Sequence, residues 1–96
     1  MGKMIAVIAR VRAKDGNAFE EMVTGVAANV EAIEPGNVFY RAYRTDDPRA
    51  FVAIEVYKDQ AAHEAHMNSE HRAKAAAKVV ELLDGGIEAD RLEQVW

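Results

Sequence analysis

The chain has 96 residues, half of them hydrophobic, no cysteine and a formal net charge of −4. This length predicts a single domain spanning residues 1–96, and the lack of cysteine excludes disulfides and thiolate metal sites. The acidic balance argues against nucleic acid and anionic membrane surfaces as partners, because both are usually bound through basic patches. No apolar run approaches the roughly 20 residues that cross a bilayer, so we expect a soluble cytoplasmic protein.

The first two elements are a predicted strand and a predicted helix. Residues 4–12 are rich in β-branched side chains and end at a Lys-Asp-Gly turn, which is typical of a strand. Apolar residues occupy both of its faces, so we expect a central strand covered on both sides. From Phe19 to Ile33, apolar residues recur at spacings of three and four, which predicts an amphipathic helix capped by Asp15. Pro35 ends it, because a residue before proline avoids helical dihedrals.

Residues 37–44 and 50–58 are two further predicted strands, joined by a turn-rich connection that favours a β-hairpin. A hairpin centred on Asp47 would place Arg41 diagonal to Glu55 on the same face, within reach of its long side chain. A shift of the centre by half a residue removes that pairing, so both arrangements stay open.

The second half of the chain predicts two short helices and a last strand. Asp59 can cap a helix over residues 60–67, and Ser69 a second one over 70–83. The charged segment 87–96 reads as an edge strand. The predicted fold class is therefore α+β, a ferredoxin-like βαββαβ arrangement with a four-stranded antiparallel sheet.

One face of this sheet should be covered by the helices, and the other should be bare. The bare face is apolar in either strand register, and apolar surface of that size is unfavourable in water. We therefore expect a homodimer in which two sheets pack face to face through the open sheet face.

Chemistry-bearing residues concentrate between Phe51 and Arg72. This segment holds Glu55, a carboxylate in an apolar strand, and all three histidines of the protein: His63, His66 and His71. Glu55 either orients an imidazole or forms an ion pair within the hairpin, and both roles stay open. The histidines could form a three-histidine metal site, but the HExxH spacing is absent and a predicted helix break separates the last one, so no metal is expected. No glycine-rich loop opens a helix, so no nucleotide cofactor is expected.

The pattern resembles the antibiotic biosynthesis monooxygenase family of dimeric α+β barrels. The matching segments are MIAVIARVRAKDG, the helix that begins near Phe19, EPGNVFYRAYR, the strand ending in EVY where the family usually has Glu-x-Trp, and the histidines of AHMNSEHR. The resemblance implies a dimer and a reaction with O₂ that needs no flavin or metal cofactor. It also implies a small aromatic or apolar substrate, such as a diol, quinol or enol.

The resemblance further implies roles for individual residues. His66 matches the recurrent helix histidine and is the expected catalytic base. Glu55 matches the strand glutamate and would orient the imidazole. Tyr57 replaces the family's tryptophan and adds a hydroxyl that could bind the substrate.

Three further residues are expected to bind substrate. By the same resemblance, Phe39 and Tyr40 would form aromatic pocket walls, and Arg41 would hold an oxyanion. Haem degradation is not expected, because Ala9, His66 and Ala76 stand where haem-degrading relatives carry an asparagine, a tryptophan and an axial histidine. A second reading from another functional class is a non-catalytic dimeric barrel that binds a small apolar ligand, as an accessory or stress-response protein.

Overall fold

The computed structural model describes residues 3–96, so Met1 and Gly2 of the predicted domain lie outside the described residues. Within these residues, seven elements follow one another in the order β1-α1-β2-β3-α2-α3-β4. The strands are β1 (Ile5–Arg12), β2 (Asn37–Arg44), β3 (Ala50–Tyr57) and β4 (Glu88–Glu93). The helices are α1 (Gly16–Ile33), α2 (Gln60–Met67) and α3 (Glu70–Leu82).

The four strands form one antiparallel sheet in the order β2-β3-β1-β4. This arrangement confirms the predicted ferredoxin-like α+β fold. It also makes β1 a central strand and β4 an edge strand, as expected. β4 is shorter than predicted, because Ile87 and the last three residues lie outside the ladder with β1.

The structure confirms the helix caps that the sequence predicts. The carboxylate of Asp15 accepts hydrogen bonds from the backbone N–H groups of Asn17 and Ala18, so it caps α1. Asp59 caps α2 through the N–H of Ala62, and Ser69 caps α3. The predicted break between α2 and α3 is confirmed, and it turns the chain so that both helices face the end of α1.

The hairpin adopts the register in which Arg41 does not reach Glu55. Arg41 lies opposite Ile54, and Tyr40 lies opposite Glu55. Hydrogen bonds inside the turn fix this register: Thr45 Oγ1 accepts from the N–H of Asp47, and Asp47 Oδ1 accepts from the N–H of Arg49. The alternative centred on Asp47 is therefore wrong.

The helices cover one face of the sheet. On β3 this face carries Phe51, Ala53, Glu55 and Tyr57, with Val7, Ala9 and Val11 beside them on β1. The opposite face carries Ala6, Ile8, Val52, Ile54 and Val56, with no helix of the described chain on it. The prediction that β1 is covered on both sides is therefore wrong for a single chain. No helix among the described residues is long and apolar enough to span a membrane.

Candidate functional site

A cavity of about 690 Å³ lies between the covered sheet face and the three helices. Most of its wall is aliphatic, and ionisable side chains gather at the end where β3 finishes and α2 begins. The aliphatic residues include Val7, Val11, Val23, Val26, Val30 and Val79. A mostly apolar cavity with a few converging polar groups is the usual form of a small-molecule site.

His66 is the central polar residue of this end. Only 6% of it is exposed. Its Nδ1 lies 2.7 Å from Oε2 of Glu34, and its Nε2 lies 3.7 Å from Oε1 of Glu55. An ionised carboxylate can only accept, so Nδ1 carries the proton that is donated to Glu34. In the neutral ring, Nε2 then has a free lone pair, because the position of the proton on one ring nitrogen fixes the role of the other.

Glu34 is the residue of this candidate site that the sequence did not reveal. It caps the C-terminus of α1, and the same carboxylate oxygen accepts from His66 on α2 and from Nε2 of His71 on α3. Ser69 supports this arrangement, since its Oγ donates to the carbonyl of His66 at 2.7 Å and lies 3.2 Å from His71 Nε2. Glu34 appeared in the sequence only as the last residue before a proline, so no local signal marked it.

Glu55 forms a second buried pair, with Tyr57. The hydroxyl of Tyr57 donates to Oε1 of Glu55 at 2.5 Å, and Tyr57 is fully buried. Burial raises the pKa of the Tyr57 phenol, and the neighbouring Glu55 carboxylate raises it further. The phenol therefore stays neutral and acts as a donor to Glu55. Its hydroxyl is used within the protein and is not presented to the cavity.

Tyr40 lines the cavity opposite Glu55. Burial raises the pKa of its phenol, with a further contribution from Glu55, while Arg72 acts in the other direction. Tyr40 is thus a neutral hydroxyl at the polar end of the cavity, beside His66 and Glu55.

The structure therefore brings together four of the six predicted site residues: His66, Glu55, Tyr57 and Tyr40. Phe39 and Arg41 flank Tyr40 along β2, so they point away from the cavity. Arg41 reaches around the sheet edge to pair with Glu31 of α1, and its guanidinium lies 5.8 Å from the centre of the Phe39 ring.

The two roles left open for Glu55 are now distinguished by position. The arginines of β2 pair elsewhere, Arg41 with Glu31 and Arg44 with Glu20. Glu55 instead lies beside His66 and is buried with Tyr57. Among the described residues, Glu55 therefore forms no ion pair within the hairpin, and its ionisable neighbour is His66.

The three histidines do not form one cluster. The ring of His63 packs on Tyr57, with centroids 5.1 Å apart. Burial lowers the pKa of His63, and Glu55 partly opposes that shift. His66 and His71 instead converge on Glu34, so the group that could hold a metal is Glu34, His66 and His71 and not the three histidines.

Comparison with known proteins agrees with this architecture. A profile of the antibiotic biosynthesis monooxygenase family matches residues 4–78. A candidate antibiotic biosynthesis monooxygenase from Caulobacter crescentus CB15 is 26% identical with a TM-score of 0.90, over 99% of this chain and 92% of that one. A protein from Pseudomonas aeruginosa is 26% identical with a TM-score of 0.85, over 100% and 98% of the two chains.

A more distant structure shares the fold. SnoaB, a cofactor-independent oxygenase from Streptomyces nogalater, is 20% identical with a TM-score of 0.83, over 97% of this chain and 94% of that one. Comparison with curated proteins gave no match. The family profile covers most of the chain, including β1, α1, the hairpin and the histidine segment, and the chain therefore belongs to the antibiotic biosynthesis monooxygenase family.

Proposed function

We propose that this protein is a cofactor-independent monooxygenase that oxidises a small aromatic diol, quinol or enol with O₂. The observation that carries the proposal is the placement of His66: its Nδ1 is hydrogen-bonded to Glu34, its Nε2 lies 3.7 Å from Glu55, and the residue lines a largely apolar cavity. A buried base with one fixed tautomer is suited to removing a proton from a bound hydroxyl. SnoaB, which shares the fold, is a cofactor-independent oxygenase.

In the proposed reaction, Nε2 of His66 removes the proton of a substrate hydroxyl. The resulting imidazolium lies between two carboxylates, Glu34 at Nδ1 and Glu55 at Nε2, and both stabilise its charge. Tyr57 holds the Glu55 carboxylate in place and acts as a positioning residue.

The substrate anion then reacts with O₂ directly. A substrate that as a whole loses two hydrogens and gains one oxygen atom supplies the four electrons that reduce O₂ to the inserted oxygen and one water. No external reductant is required. The apolar wall of the cavity keeps water away from the anion, and the neutral Tyr40 hydroxyl is the donor we assign to its oxygen.

We also propose that two chains form a homodimer through the open sheet face. That face carries Ala6, Ile8, Val52, Ile54 and Val56 and is only partly buried in the single chain. Pairing two such faces would remove a continuous apolar surface from water. Phe39 would then lie at the interface and not in the substrate cavity. Sedimentation at micromolar concentration tests this, and a monomer would contradict it.

The reaction is tested by measuring oxygen uptake with a panel of hydroquinones. We expect His66→Ala to lower kcat by roughly 10²–10⁴-fold, the usual contribution of a positioned base. Glu34→Gln should lower it less and should change the pH profile, because it alters the partner of Nδ1 while His66 remains. His63→Ala is the matched control, since His63 lines the same cavity without contacting Glu34.

Equal uptake by wild type and His66→Ala, or no uptake by either, would reject the proposed mechanism. In that case a thermal shift produced by the same hydroquinones would favour the second reading, a dimeric barrel that binds a small apolar ligand without converting it.

A further inference from the structure

We propose that Glu34, His66 and His71 form a binding site for a divalent transition-metal ion such as Zn²⁺. Each residue offers one ligand atom, and the three atoms lie within 4.8 Å of one another. One carboxylate oxygen already contacts a ring nitrogen of both histidines. Both imidazole nitrogens thus converge on the Glu34 oxygen, and the three ligand atoms are already close together before any ion is present.

The donor set suits this class of ion. Two imidazole nitrogens and one carboxylate oxygen are the ligands of many zinc sites, with metal–ligand distances of about 2.0–2.2 Å. Tetrahedral geometry at those lengths separates ligand atoms by roughly 3.3 Å. The short contacts between Glu34 and the two histidines must therefore lengthen when an ion enters. Rotation of the Glu34 side chain can provide the extra distance. The hard ions Mg²⁺ and Ca²⁺ prefer all-oxygen sites and are not the expected occupants.

The surroundings favour a bound ion with an open position. The three ligands come from three elements: the end of α1, α2 and the first turn of α3. His66 is buried, and the side chains of Glu34 and His71 are 12% and 27% exposed. Both histidines line the cavity, so a fourth coordination position faces the space where a small molecule would lie. Three protein ligands and one open position is the pattern of catalytic zinc sites.

Metal binding would change the proton on His66. A neutral imidazole carries one proton, so an ion on Nδ1 requires that proton to sit on Nε2 instead of on Nδ1. A metal-loaded His66 therefore cannot act as the base at Nε2. This consequence rests on the proposed function, whereas the existence of the metal site does not.

The test uses untagged protein freed of metal with a chelator, titrated with Zn²⁺ by calorimetry and with Co²⁺ by visible absorption. We expect one ion per chain in wild type, and weaker binding as the pH falls, because both imidazoles must be unprotonated to bind. His71→Ala should lower the affinity by more than roughly 100-fold, the upper end of what loss of an outer hydrogen-bond partner costs. His63→Ala is the matched control and should bind as wild type does.

Two further measurements keep the outcome clear. Glu34→Gln, which keeps the side-chain volume, should also weaken binding, and Zn²⁺ should raise the thermal midpoint of wild type but not of His71→Ala. Wild type and His71→Ala with equal Zn²⁺ affinity would overturn the metal site. Oxygen uptake by the metal-free protein is measured on the same preparations, so loss of the metal site and loss of the proposed oxidation appear as separate results.

Discussion

The two ends of β3 use the same sheet face in different ways. At its beginning, Phe51 packs on Phe19 of α1, with ring centroids 4.8 Å apart, inside a buried apolar cluster. At its end, Glu55 and Tyr57 form a buried polar pair next to His66. At both ends of β3 the side chains alternate between the two sheet faces in the same way, and α1 lies over both ends. One end is nevertheless a packed core, and the other is a network of ionisable groups.

The apolar end of β3 is expected to contribute mainly to stability, and the polar end mainly to chemistry. Burying apolar area is favourable in itself, whereas burying a polar group is costly unless it is paired. The carboxylates of Glu34 and Glu55 are hydrogen-bonded, Glu34 to His66 and His71 and Glu55 to Tyr57, which offsets that cost. We therefore expect substitutions at the apolar end to act mainly on the free energy of unfolding, and those at the polar end mainly on the reaction.

The largest effect on stability is expected from Phe51→Ala. Phe51 is 5% exposed and belongs to the main buried cluster. Its truncation should lower the free energy of unfolding by about 3–5 kcal/mol, from lost apolar burial and the cavity left behind. Denaturant unfolding measures this change.

The control for Phe51→Ala is Val80→Ala on α3, where the side chain is 64% exposed. This variant should stay within about 0.5 kcal/mol of wild type. Similar losses in both variants would mean that the apolar end is not the part that stabilises the fold.

Much of the fold was predictable because its signals are local. The cap of α1 by Asp15, the end of that helix before Pro35 and the break at Ser69 each depend on residues close in sequence. The order of elements then leaves few topologies, and the split βαβ arrangement is the one observed.

The site was only partly predictable, because its central contact is not local. Glu34 and His66 are 32 residues apart in the sequence. Glu34 stands directly before Pro35, and the end of helix α1 was already a sufficient explanation for that position. The hairpin register was equally undetermined, because the turn residues allow two centres and only the hydrogen bonds of Thr45 and Asp47 select one. That half-residue difference sends Arg41 to Glu31 and leaves Glu55 to His66.

A smaller effect is expected from a pair of glycine substitutions that differ in their surroundings. A Cβ on Gly36 would lie 2.4 Å from Cβ of Ala62, on the helix that carries His66. Gly36→Ala should therefore destabilise the protein by about 1–3 kcal/mol through overpacking, and should lower oxygen uptake by displacing α2.

The matched control, Gly25→Ala, places a Cβ with no atom within 4 Å, in the middle of α1. It should stabilise the protein by about 1 kcal/mol, because alanine favours the helix more than glycine does. Denaturant midpoints of the two variants give the answer. If Gly36→Ala does not destabilise the protein, the close approach of α2 to Gly36 does not constrain the polar end.

The smallest effect is expected from the pH dependence of stability at His63. Burial lowers the pKa of His63, Glu55 and Glu64 oppose that shift, and Arg91 and His66 act in the same direction as burial. Below its ordinary pKa of 6.5, the unfolded chain binds a proton at His63 that the folded chain does not. This contribution to the free energy of unfolding is therefore fully present above pH 6.5 and is lost as the pH falls below it.

Replacing His63 with asparagine should make the decline in the free energy of unfolding between neutral and mildly acidic pH less steep. Denaturant unfolding across that pH range measures this change. If wild type and the asparagine variant show the same pH dependence of the free energy of unfolding, titration of His63 does not contribute to it.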